Sequence, residues 1–207
     1  LNTLMVLDNG KNDSLADLKG KKIGIAIAGN EEATIGTMLA QENVAFTDVQ
    51  TINVGWALSS SLASGKVDAI WGGLRNFETN QLALEGFKAK AFFPEEHGVP
   101  AYDELIFVAN AKQHDDEAIK AFNKALEQAT TYIVNHPQES WSEFVAYSPE
   151  TLNNELNQRA WNDTLTRFAL RPSAVDLKRY DDYAQFMFDK GIIKSLPKAA
   201  DYVPTFD

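Results

Sequence analysis

The chain has 207 residues, 44% of them hydrophobic, with a net charge of −10 and no cysteine. The charge argues against nucleic acid and anionic membrane surfaces. The missing cysteines exclude a thiolate nucleophile, a disulfide frame and a Cys-ligated metal. No apolar run is long enough to cross a bilayer. The chain opens on LNTLMVLDNG, with no initiator Met and no basic leader followed by an apolar stretch, so an upstream segment is expected to have been removed.

In chain order, residues 3–7 are a short apolar run, closed by the turn signal Asn9-Gly10. SLADLKG reads as one helical turn ending at Gly20. KKIGIAIA, residues 21–28, reads as a strand covered on both faces. A helix over 31–43 follows, then a strand at 49–54 and a helix over 57–66 capped at Gly65. VDAIWGG is the next strand, residues 76–85 the next helix, and KAKAFF a further strand. DELIFVAN, residues 103–110, is expected to be a strand that leaves this layer. Strands and helices alternating over short connections predict a doubly wound α/β lobe with a mostly parallel sheet. Ligands of such lobes bind beyond the carboxyl ends of the strands.

After Asn110 the pattern becomes helical. Helices are expected over 115–135, 137–146, 149–170 and 173–190. Asp115 or Asp116 would cap the first, and Ser173 with Asp176 would form a capping box for the last. There is no internal repeat.

The functional candidates lie at strand-to-helix junctions. In GGLRNFETNQLALEG, residues 72–86, two glycines close an apolar strand before Asn76, Phe77 and Glu78. Glycine lets the backbone turn sharply and lets a ligand approach it. Glu78 is an acceptor suited to an amino group or a protonated ring nitrogen, and Phe77 offers core packing or a stacking face. On the residues alone, Asn76 reads first as the N-cap of the next helix. At Asn30 and Glu31, with Glu32 beside them, acidic residues in a first turn satisfy the helix dipole and would repel an anion. A cation or an amine near Asn30 is the ligand reading of the same residues. Trp56 is either packing or a stacking plate at a cleft rim. Tyr102 and Glu104 belong either to a solvated acidic linker or to a cleft-lining crossover. His97, His114 and His136 have no metal-ligand spacing, and neither a nucleophile elbow nor a P-loop is present.

The stretches SLADLKGKKIGI, NVGWALSSSLASGKVDAIWGGLRNFE, LALEG and HGVPAYDELIFVAN resemble, in order and spacing, the type II periplasmic solute-binding proteins of the thiamine pyrimidine-precursor family. That family holds solute-binding components of ABC importers and fungal enzymes that make the pyrimidine phosphate. The resemblance implies a two-lobe clamp. Residues 21–108 would be lobe II, residues 1–20 the hinge and a residual strand of lobe I, and residues 109–207 helices of lobe I. About a hundred further residues of lobe I would precede Leu1, and their absence would leave a surface through which copies could self-associate. It also implies a pyrimidine ligand of the formylaminopyrimidine or hydroxymethylpyrimidine type, an ABC permease and ATPase as partners, a periplasmic location, no cofactor and no catalysis. The expected ligand-binding residues are Asn30, Glu31, Trp56, Asn76, Phe77, Glu78, Tyr102 and Glu104, with Glu78 and Asn76 accepting from the aminopyrimidine. The enzyme branch carries a cysteine-rich iron motif, which a chain without cysteine does not have. The alternatives are an enzyme of pyrimidine-precursor synthesis, or a binding protein for another solute such as a sulfonate.

Overall fold

The computed structural model describes residues 1–27, 29–113 and 116–204. Ala28 at the end of an expected strand, His114, and Asp115 as an alternative cap lie outside the described residues. Five strands form one sheet: β1 (Asn2–Leu7), β2 (Lys22–Ile25), β3 (Gln50–Asn53), β4 (Ala69–Leu74) and β5 (Ala89–Phe92). Their order is β3-β2-β4-β1-β5. β2 runs parallel to β3 and β4, while β1 is antiparallel to both β4 and β5. Four strands therefore point one way and β1 alone points back. The expected mostly parallel α/β lobe is present.

Between the strands lie α1 (Glu31–Ala40), α2 (Leu58–Ala63) and α3 (Glu78–Leu84). Alternation along the strands sends side chains to both faces. Leu4, Val6, Ile23, Ile25 and Trp71 pack with Ile35, Met38 and Leu39 of α1 on one side. Met5 and Ile70 pack with Leu58, Leu62 and Leu82 of α2 and α3 on the other. This two-sided burial is what an almost continuous apolar strand such as AIW requires.

β1 is an inner strand of this sheet, hydrogen-bonded on both sides, because its run of apolar residues is satisfied only where both faces are covered. Its register against β4 slips between Thr3 and Leu4: Thr3 faces Gly73 and Leu4 faces Trp71. Gly72 is the extra residue of this bulge, at φ +100°, and Thr3 Oγ1 donates to the Gly73 carbonyl at 2.7 Å. A positive φ at a bulge is glycine's place. Gly73 is held by packing, since a Cβ there would stand 3.3 Å from Ile70 Cδ1 and 3.4 Å from Met5 Cε. The glycine pair thus serves the bulge and the core.

The helical part contains α4 (Glu117–Asn135), α5 (Pro137–Tyr147), α6 (Pro149–Leu152), α7 (Glu155–Leu165) and α8 (Leu177–Asp189). Asp116 caps α4, accepting from the Ala118 amide. Three expectations need correction. The helix expected over 149–170 is two helices, because Asn154 turns out of the first and caps the second through the Asn157 amide at 2.9 Å. α8 starts at Leu177, not Ser173, and Asp176 is its N-cap, accepting from the amides of Lys178 and Arg179. Residues 103–110 form no strand, having no neighbouring strand to pair with among the described residues.

Gly72→Ala forces a Cβ into a positive-φ position and is expected to destabilise the fold by about 1–2 kcal/mol. Urea denaturation would show it as a lower midpoint at an unchanged slope; an unchanged midpoint would mean the bulge does not need glycine.

Candidate functional site

The sheet order places the carboxyl ends of β3, β2, β4 and β5 along one edge, and the start of antiparallel β1 at the same edge. All eight candidate residues lie along it. Trp56 follows β3, Asn30 and Glu31 follow β2, and Asn76, Phe77 and Glu78 follow β4. Tyr102 and Glu104 reach the edge through β1, where both carboxylate oxygens of Glu104 accept from the Asn2 amide at 2.9 and 3.0 Å.

The β4–α3 junction is the most constrained part. Phe77, half-buried, is the N-cap of α3, so Asn76 is not. Asn76 is instead 8% exposed. Its Nδ2 donates to Thr164 Oγ1 of α7 at 2.8 Å, and its carbonyl accepts from Asn80 Nδ2 at 3.1 Å. Asn76 Oδ1 is buried with no hydrogen-bond partner among the described residues. A buried amide oxygen of this kind costs stability until something donates to it.

Glu78 is the first residue of α3, and its Oε2 accepts from the Leu74 amide at 2.6 Å. The carboxylate bends back over the bulged end of β4 and holds the turn closed. Burial pushes its pKa above the usual carboxylate value, against the opposing pull of the Leu74 and Glu78 amides. The junction therefore holds a carboxyl whose pKa burial raises, beside a buried amide oxygen without a partner among the described residues.

The other candidates are arranged differently. Glu31 turns onto its own loop and accepts from the Gly29 amide at 2.6 Å, which is the acidic capping of α1 that the sequence also allowed. Asn30 is the N-cap of α1 but makes no side-chain cap bond. Trp56 is 87% exposed in the β3–α2 loop; it is not packing within the described chain. Tyr102 rests against Tyr183 of α8, with ring centroids 4.8 Å apart, and burial pushes its phenol up to about 12. Tyr102 and Glu104 help line a cavity of about 110 Å³ with Asn2, Arg75 and Glu95. Asn76 and Glu78 do not line it, so the eight residues share an edge but not one enclosed pocket.

Arg75 stands between the bulged end of β4 and Asn76. Its guanidinium sits 3.9 Å from the Phe93 ring centroid and donates to both oxygens of Glu95, at 2.9 and 3.2 Å. This locks the β4–α3 loop to the end of β5. Thr164, the partner of Asn76, lies 88 residues away in sequence, and no local pattern could have announced it. Among the described residues no group of three or more His, Asp or Glu side chains could hold a metal ion.

The lobe has the α/β fold of the periplasmic binding proteins. An alkanesulfonate-binding protein of Xanthomonas axonopodis pv. citri superposes with a TM-score of 0.71 over 99% of this chain and 70% of that one, at 17% identity. Residues 1–140 match the model of the NMT1/THI5-like family, and the chain belongs to that family. A Haemophilus influenzae protein named for thiamine biosynthesis is 52% identical over 199 residues, 96% of this chain and 62% of its own length. The formylaminopyrimidine-binding protein of Halalkalibacterium halodurans is 30% identical over 168 residues, 80% of this chain and 51% of its own. A 4-amino-5-hydroxymethyl-2-methylpyrimidine phosphate synthase of Saccharomyces cerevisiae is 23% identical over 180 residues, 80% of this chain and 52% of that enzyme. The chain thus spans between about half and three-fifths of the curated relatives it matches.

The raised Glu78 pKa has a signed consequence. Above the ordinary value of 4.5 and below the raised native value, the native state holds more protons than the unfolded chain. This residue's contribution to stability therefore falls as pH rises through that window. Glu78→Gln is expected to gain stability relative to wild type as pH rises from 4.5 through the raised native value, read as a pH-dependent difference in denaturation midpoints. A difference that is flat or of opposite slope would mean the native carboxyl is not held toward its neutral form.

Proposed function

We propose that this chain is the pyrimidine-recognising α/β part of a solute-capture protein. In this reading it takes a thiamine pyrimidine precursor, of the formylaminopyrimidine or hydroxymethylpyrimidine type, at the carboxyl edge of its sheet. It delivers the ligand to an ABC permease and ATPase, works outside the cytoplasmic membrane, and does no chemistry on its ligand.

The observation that carries the reading is the partly buried Glu78 carboxyl at the end of β4, beside the buried and unpartnered Asn76 Oδ1. An aminopyrimidine places an exocyclic N–H donor beside a ring-nitrogen acceptor. A carboxyl at this junction accepts from the amine through one oxygen and, when protonated, donates to the ring nitrogen. The raised Glu78 pKa favours that protonated partner. Trp56, exposed on the same edge, supplies a flat face for the ring. The relative from Halalkalibacterium halodurans, named for formylaminopyrimidine binding, supports this ligand class.

A sulfonate ligand has less support. At the start of α1 the Gly29 amide, a donor such an anion would use, already donates to Glu31. The synthases among the relatives keep catalysis as the second reading. Turnover of a pyrimidine by the purified chain would favour it.

Calorimetry with formylaminopyrimidine tests the proposal. Glu78→Ala and Asn76→Ala are each expected to weaken binding at least tenfold, or about 1.4 kcal/mol, while Glu78→Gln, whose amide both accepts and donates like the protonated carboxyl, is expected to retain most of it. Glu32→Gln, exposed on α1, is expected to leave it unchanged. Binding that is equal in all variants, or tighter for taurine than for the pyrimidine, would contradict the assignment.

A further inference from the structure

The turn that leaves β1 lies at the opposite edge of the sheet from the candidate site, because β1 starts at that edge. It holds the one Asn-Gly pair of the sequence, Asn9-Gly10. Both residues are exposed. Gly10 sits at φ +74°, with no atom within 4 Å of the place a Cβ would take. Neither the Gly10 N–H nor the Asn9 side-chain nitrogen has a hydrogen-bond partner among the described residues. Asn9 Oδ1, by contrast, accepts from the Lys11 amide at 3.2 Å, and the Asn9 amide donates to the Leu7 carbonyl at 3.0 Å. The bond to Lys11 turns the side chain along the chain, so its carbonyl carbon lies on the side of the Gly10 nitrogen.

These are the parts of an intramolecular acyl substitution. A nucleophile tethered beside its carbonyl needs no encounter. A donor on the carbonyl oxygen stabilises the oxyanion that attack creates. Glycine brings no β-carbon to obstruct the approach, and an N–H outside any hydrogen bond is open to a solvent base. Asn43 is the contrast within the same chain. It is exposed, with φ 57°, but the Val44 N–H that would have to attack donates to the Leu39 carbonyl at 3.1 Å, and the Val44 side chain is buried.

We propose that Asn9-Gly10 is a self-modification site, at which the chain loses ammonia and gains a carboxylate. A solvent base takes the Gly10 amide proton, and the nitrogen forms a bond to Asn9 Cγ while the Lys11 N–H donates to the oxyanion. The Cγ–Nδ2 bond breaks, ammonia leaves with a proton, and a cyclic imide remains. Water then opens the imide. Attack at Cγ breaks the new bond and leaves aspartate. Attack at the main-chain carbonyl carbon of residue 9 breaks the original peptide bond and leaves isoaspartate, with Gly10 joined through Cγ. One amide and one water become one carboxylate and one ammonium, with nothing oxidised or reduced. The added charge falls beside Asp8, which is paired with Lys88, and far from the β4–α3 junction.

The test incubates the folded chain at mildly alkaline pH and follows its tryptic peptides by mass spectrometry, with electron-transfer fragmentation to locate the change and separate isoaspartate from aspartate. Residue 9, in the peptide Leu1–Lys11, is expected to convert at least about tenfold faster than Asn43, with both products present. Its rate is expected to stay within about tenfold of the rate in guanidinium chloride, or to exceed it, since the native turn leaves the reacting atoms free. Asn9→Gln, whose side chain closes a larger ring, is expected to show no conversion there over the same time. The proposal is overturned if residue 9 of the folded chain gains no carboxylate, or converts no faster than Asn43. It is equally overturned if folding slows residue 9 by more than about tenfold, since the native turn would then hold the amide away from the Gly10 nitrogen.

Discussion

The pairing of β1 with β4 across the Gly72 bulge is the constraint on which the rest of the molecule depends. β1 is the single reversed strand of the sheet and joins β4 to β5. Its side chains anchor both faces, Leu4 and Val6 to one cluster and Met5 to the other. The extra residue at Gly72 shifts the last two residues of β4 relative to β1. The chain then leaves β4 at an angle that lets Glu78 fold back onto the Leu74 amide. A regular ladder would continue straight, and that amide would face a strand partner instead of a carboxylate. The bulge therefore sets the fold at its centre and the geometry of the candidate site at its edge, a common use of bulges beside functional sites.

Two sets of interactions hold that edge in place from outside the sheet. Arg75 ties the loop to Phe93 and Glu95 after β5. α7 reaches it through Thr164 to Asn76 and through Asp163 to Asn80, the latter at 2.7 Å. On the far side of the crossover, Arg179 of α8 donates to Asp103 at 2.5 Å, beside the Tyr102–Tyr183 contact. The C-terminal helices are thus fastened to the loops of the α/β lobe at two points. A polar side chain held at both ends loses little entropy on meeting a ligand, which is the value of such fastening for recognition.

The sheet was legible in the sequence because its signal is local. Apolar runs such as KIGI and AIW, separated by glycines and short amphipathic helices, specify strand, helix and two-sided burial without long-range information. The helical tail was legible in outline, and its errors were at caps, where Asn154 and Asp176 competed with neighbouring Asn and Ser residues for the same role. Two features needed more than local signal. Nothing in the short apolar run at residues 3–7 says that it inserts between β4 and β5, which lie more than sixty residues on. LIFV has the composition of a strand, yet a strand exists only with a partner, and none lies among the described residues. Of the site, Glu78 and Asn76 were legible from their place after a glycine-closed strand. Their partners Leu74 and Thr164 were not, because one depends on the bulge and the other on tertiary packing. The candidates Asn30 and Glu31 show the opposite case, since acidic residues at a helix start read equally well as caps or as ligands.

The central claim is that the carboxyl edge at β4–α3 recognises an aminopyrimidine. An NMR titration of the ¹⁵N-labelled chain with formylaminopyrimidine addresses it most directly, because it locates the ligand residue by residue. The account predicts the largest amide shifts at Leu74 through Glu78, with smaller ones near Trp56 and Thr164. Shifts confined to the polar face of α4 around Lys124, Gln128 and Tyr132, which line a surface cavity of about 540 Å³, would contradict it, as would no shifts at saturating ligand.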